Sequence, residues 1–197
     1  MVFDGHDPTL LLQRMVDAVE QVRQRLVLAS NALRTSGVNY AVVGDNAVAA
    51  WVAMVDRATV RNTQDVDILI RRADFDAAKR ALETAGFVHR KAARMDMFLD
   101  NANASPRDAV HVIFAGEMVK PDEPAANPDV SEATDMGLLR VLNLDALVRI
   151  KLTAFRDKDR THLRDLIGVG LVDQSWTKSL PNVLAARLQS ILDTPDG

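Results

Sequence analysis

Residues 61–70 read RNTQDVDILI and set two aspartates, Asp65 and Asp67, at the head of a β-branched apolar run. Side chains alternate along a strand, so the two carboxylates project from one face, roughly 6–7 Å apart, while Val66 faces the other way. Like charges this close repel in low-dielectric surroundings unless a cation lies between them, and a hard divalent ion with oxygen ligands, magnesium first, fills that place. A plainer use is open as well: one carboxylate solvated at an exposed strand start, the other serving a turn. D-x-D alone is short and common.

The flanking sequence narrows what such a strand can belong to. Residues 8–35 carry Leu11, Met15, Val19, Val22, Leu26 and Leu33 at helical spacing with Pro8 in the first turn, which predicts a long amphipathic helix ending near Gly37. Its stripe packs on the protein's own sheet, with a homodimer contact as the other use. NYAVVG is a short strand, DNAVAAWVAM an alanine-rich helix, DVDILI a second strand, and ADFDAAKRALETAG a helix that Asp74 caps and Gly86 stops. GFVHR, RMDMFL and DAVHVIFAG are further strands; the last is apolar at nearly every residue, which predicts a central position. Three prolines between Lys120 and Asp129 mark a loop. Beyond it GLLRVLNL reads as extended and DALVRIKLTAF as helix. RDKDR reads as a charged hinge, THLRDLIGVG as helix, and LPNVLAARLQSIL as a last helix opened by Pro181. The layout is α+β: a mixed sheet flanked by helices, then a C-terminal helical segment. We expect a single domain over 1–197, with its core at about 38–118 and the helical segment at about 143–193.

Composition removes several classes of function. The chain has no cysteine, which excludes disulfides, thiolate catalysis and zinc-finger ligation. A net charge of −3 gives no footprint for a duplex-DNA binder. The opening MVFDGHDPTL lacks the basic start and apolar core of a targeting segment, and no apolar run approaches membrane-spanning length. The expectation is a cytoplasmic protein without a membrane partner.

Strand, Gly44 turn, helix, then an acidic pair on the next strand resembles the nucleotidyltransferase fold of the polymerase beta superfamily, above all its minimal and abortive-infection toxin branches. Arg61, Thr63, Asp65 and Asp67 match that family's R-x-T-x-D-x-D element residue by residue, and Gly44 matches its phosphate-cradling turn. In the tail, KLTAFRDKDRTH is similar to the family's K-L-x-A-x-R-x-K-D-x-x-D helix. Lys151, Arg156, Lys158 and Asp159 are carried over, and His162 stands at the last aspartate. The resemblance spans about 38–167. It implies transfer of an NMP group from an NTP to a hydroxyl acceptor by a two-metal mechanism with Mg2+ or Mn2+. Asp65 and Asp67 would hold the metals. Lys151, Lys158 and Arg61, with Thr63 and the Gly44–Asp45 turn, would lie on the nucleotide. The acceptor is open among an RNA, a protein and a small molecule.

Two residues depart from that pattern. Asp45 stands where the family has a second glycine or a serine; it can cap the helix, but its charge weakens triphosphate binding unless a metal or an Arg offsets it. His111 stands at the third carboxylate, where a histidine serves as general base, as ligand of a softer metal such as manganese or zinc, or as a hydrogen-bonded core residue. Both departures favour a rival reading: a catalytically degenerate module that keeps the fold to bind nucleotide, metal or a protein partner. The spacing of Arg156 and His162 also resembles the R-x5-H motif of HEPN-type ribonucleases, but a strand-rich first half does not suit that all-helical domain.

Overall fold

The computed structural model describes residues 8–92 and 95–195. Residues 1–7, read above as no targeting segment, and Arg94, read as a strand start, lie outside them. Helix α1 spans Pro8–Thr35. Leu26, Ala29 and Leu33 are buried on the inner half of its stripe, whereas Leu12, Met15 and Val19, which continue the same stripe at alternating spacings of three and four, are exposed. The chain then enters β1 (Tyr40–Val43), buried at every residue, and α2 (Gly44–Ala53) without an intervening loop. Strand β2 (Val66–Ile70) and helix α3 (Phe75–Thr84) follow, then β3 (Val88–Ala92), β4 (Met95–Leu99) and β5 (Ala109–Phe114).

Among the described residues seven strands form one mixed sheet in the order β3-β4-β5-β2-β1-β7-β6, the last two being β6 (Ala133–Asp135) and β7 (Arg140–Leu142). β2 runs antiparallel to β1 and parallel to β5, so Val43, Asp67 and His111 stand side by side in three neighbouring strands. The core gathers Ile68, Leu69 and Ile70 of β2 with Phe98, Leu142 and the inner faces of the helices. Helices α4 (Leu144–Ala154), α5 (Asp157–Gly168) and α6 (Asn182–Leu192) close the chain. Among the described residues no helix is long and apolar enough to cross a membrane.

Local structure differs from expectation in three places. Asp74 occupies the N-cap of α3, yet its side chain makes no capping bond. The charged hinge is largely helical: Asp157 and Asp159 lie in the first turn of α5, where carboxylates complement the helix dipole. The turn itself is confined to Phe155, in the left-handed region with φ 50°, and Arg156. Strand β6, three residues with two of them exposed, carries too little alternation to be read from sequence.

Candidate active site

Asp67 is held in the ladder between Val43 and His111. Its carboxylate fills the space beside Gly44 that any side chain there would need: a Cβ on Gly44 would lie 2.0 Å from Asp67 Oδ2. Gly44 also has φ +65°, a conformation that side chains disfavour, so both the backbone and its neighbour require glycine. Asp65 lies one residue before β2 and is positioned by side-chain bonds instead. Asn46 Nδ2 donates to its carbonyl at 2.8 Å, and the Thr63 hydroxyl donates to its Oδ1 at 2.9 Å. The preceding Gln64 carbonyl accepts from the buried Arg25 of α1, whose guanidinium also pairs with Asp100 at 2.6 Å.

His111 completes the group. Its Nδ1 is 3.7 Å from Asp65 Oδ2 and 3.6 Å from Asp67 Oδ1, and its Nε2 is 3.0 Å from the Pro106 carbonyl. A carbonyl only accepts, so that bond assigns the ring hydrogen to Nε2 and turns Nδ1 toward the acids. The Asp67 carboxylate, with smaller help from Pro106 and Asp65 and against the effect of burial, holds the imidazole above its ordinary pKa. One ligand atom from each of Asp65, Asp67 and His111 lies within 4.8 Å of the others, a donor set that can hold a divalent ion.

A second charged group packs behind the Gly44 turn. Lys151, in the last turn of α4 with a side chain only 4% exposed, reaches Asp45 Oδ1 at 3.3 Å, Asp159 Oδ1 at 3.4 Å and His162 Nδ1 at 2.9 Å. Three ammonium hydrogens thus face three acceptors. Lys158 approaches Asp45 at 3.8 Å from the solvent side, its side chain 45% exposed. Asp45 makes no capping bond to α2; its charge is offset by the two lysines. Burial pushes Asp159 up, but Arg156, bonded at 2.7 Å, and Lys151 outweigh it and leave the carboxyl below the ordinary range. Burial, reinforced by Lys151, lowers His162 despite the nearby carboxylates. The pair with Asp159, with smaller help from the charges of Asp67 and Asp45, raises Arg156 against the effect of burial.

The structure therefore brings Asp65, Asp67, His111, Gly44 and Thr63 into one cluster and Asp45, Lys151 and Lys158 into a second. Arg61 joins neither, being held by Asp165 of α5 in a two-pronged pair at 2.7 and 3.0 Å. Nothing in the motifs pointed to Asp165, Asn46 or the Pro106 carbonyl. The signal for Asp165 was its spacing, since Asp159, His162 and Asp165 recur every three residues on one face of α5.

The mixed sheet and its flanking helices are those of the nucleotidyltransferase fold. A nucleotidyltransferase-like protein from Paracoccidioides brasiliensis superimposes with a TM-score of 0.54 over 91% of each chain at 13% identity. The antibiotic-resistance factor ANT(2'')-Ia, in complex with adenylyl-2''-tobramycin, gives 0.54 over 88% of this chain and 98% of its own, again at 13% identity. Its solution structure gives 0.51 over 92% of each chain at 11% identity. No protein-family model matches the sequence, nor does any curated protein.

Proposed function

We propose that the protein is a nucleotidyltransferase that moves an NMP group from an NTP to a hydroxyl acceptor with the help of a divalent metal, magnesium or manganese. The observation that carries this reading is the convergence of Asp65, Asp67 and His111 against the Gly44 turn. The donor set fits a divalent ion, since it offers two carboxylate oxygens and a ring nitrogen within 4.8 Å of one another. When bound, such an ion supplies Lewis-acid polarisation of a phosphate and lowers the pKa of an attacking hydroxyl.

The rest of the chemistry falls to this chain's own groups. No side chain caps the start of α2, which leaves the first-turn N–H groups free to take phosphate oxygens. Lys158 and Arg156, both solvent-accessible at the start of α5, would neutralise phosphate charge. Lys151 acts through Asp45, whose carboxylate it neutralises in the first turn of α2. Thr63 fixes the Asp65 carboxylate, and Arg61 fixes the segment leading to it through Asp165.

The test is incubation of the purified protein with each labelled NTP and Mg2+ or Mn2+, following pyrophosphate release and labelling of the protein itself, of cellular RNA and of a panel of small hydroxyl compounds. The expected outcome is release with one NTP that Asp67→Asn abolishes. No release with any NTP, together with NTP binding intact, would instead favour the degenerate module, a reading supported by the near-complete neutralisation of Lys151 within the protein.

A further inference from the structure

Deepening the metal reading above, on which it rests, we propose that His111 Nδ1 is a ligand of the cation held by Asp65 and Asp67, and that it makes the site prefer a nitrogen-accepting divalent ion of the manganese-to-zinc series over magnesium.

With Nε2 donating to the Pro106 carbonyl at 3.0 Å, Nδ1 is the nitrogen that faces the two carboxylates and the one left to bind a metal once its proton is displaced. A metal-bound histidine is commonly arranged this way, the second nitrogen donating to a backbone carbonyl that fixes tautomer and orientation. The separations of 3.6 and 3.7 Å from Nδ1 to the carboxylate oxygens are too long for direct hydrogen bonds. They suit donors spanning a common ion: two ligands about 2.0–2.1 Å from a tetrahedral centre stand roughly 3.3 Å apart. Two carboxylates and a neutral imidazole carry two negative charges, the balance of one divalent ion.

Ion class follows from donor type. Magnesium takes oxygen ligands in a near-ideal octahedron and keeps its waters, whereas imidazole suits zinc and its first-row neighbours. In the ladder His111 stands between Asp67 of β2 and the buried Met97 of β4. A histidine used only for packing in such a strand would not need a ring nitrogen aimed at two acids.

The experiment is ion titration without nucleotide, using metal-stripped protein and MgCl2, MnCl2 or ZnCl2, read by calorimetry, with pulsed EPR of the Mn2+-loaded protein. We expect Mn2+ and Zn2+ to bind at least about tenfold more tightly than Mg2+, and the EPR to report nitrogen coupling. His111→Asp should lose that coupling and narrow the preference by restoring an all-oxygen set. Mn2+ binding that depends on Asp67 but shows no nitrogen coupling in the unmodified protein would overturn the inference and leave the carboxylate metal site standing. Failure of every ion to bind would overturn both. Because the EPR is done on the unmodified chain, the test does not depend on whether the variant folds.

Discussion

Gly44→Ala isolates the contact on which the site is built. The added Cβ would stand 2.0 Å from Asp67 Oδ2, 2.8 Å from its Cγ and 2.9 Å from its Cβ, so the carboxylate must swing out of place. Asp67's backbone cannot yield, being paired on both sides in the ladder. Holding alanine at φ +65° costs about 1–2 kcal/mol by itself, and the overlap adds about 1–3 kcal/mol, typical of overpacking. Gly37 supplies the control, with φ +70° and nothing within 4 Å of the added Cβ. Gly37→Ala should therefore cost only the backbone share. At about 2–4 °C per kcal/mol for a domain of this size, its melting temperature should fall by about 2–8 °C and that of Gly44→Ala by about 4–20 °C. Thermal melts with and without MnCl2 measure both effects. Gly44→Ala should also lose the metal-induced rise that Gly37→Ala keeps. Equal losses in the two variants, with the metal response retained in both, would show that the close approach of Asp67 to Gly44 does not hold the site together.

Two further outcomes follow from the charged groups. Lys151→Met removes the buried cation facing Asp45 and Asp159, and should destabilise by about 3–5 kcal/mol in urea titrations; a loss under about 1 kcal/mol would mean that water enters readily. The two site histidines should give opposite pH dependences in metal-free buffer. His162 is lowered by burial and Lys151, so the unfolded chain takes up a proton that the native state refuses, and stability falls as pH drops below about 6.5. His111 is raised by Asp67, so its contribution is full below about pH 6.5 and is lost as pH rises through the folded pKa. His162→Gln should flatten the acid limb and His111→Gln the alkaline one; urea midpoints across about pH 5–8 decide it, and unchanged slopes would count against both assignments.

Local periodicity made most elements legible. The stripe of α1, the β-branched run of β2 and the apolar run of β5 each follow from near neighbours in the chain. The same is true of the shared face of Asp65 and Asp67, which strand parity alone predicts. What remained hidden were pairings across long sequence separations. Asp45 looked like a helix cap because its partner Lys151 is 106 residues away. Arg61 looked available for a phosphate because its partner Asp165 is 104 residues away. The place of His111 opposite Asp67, with its ring on the Pro106 carbonyl, was likewise hidden, because it depends on the pairing of β2 with β5.

The two aspartates are held by different kinds of bond, which gives them different mechanical freedom. Asp67 is clamped by a backbone ladder that moves only if the sheet moves. Asp65 hangs from side chains on two helices, Asn46 of α2 and, through Gln64, Arg25 of α1, while Arg61 ties the start of the same segment to α5. The pair therefore works as one fixed jaw and one adjustable jaw. A shift of any of those three helices would reach Asp65 through its side-chain ties, whereas Asp67 would follow only the sheet.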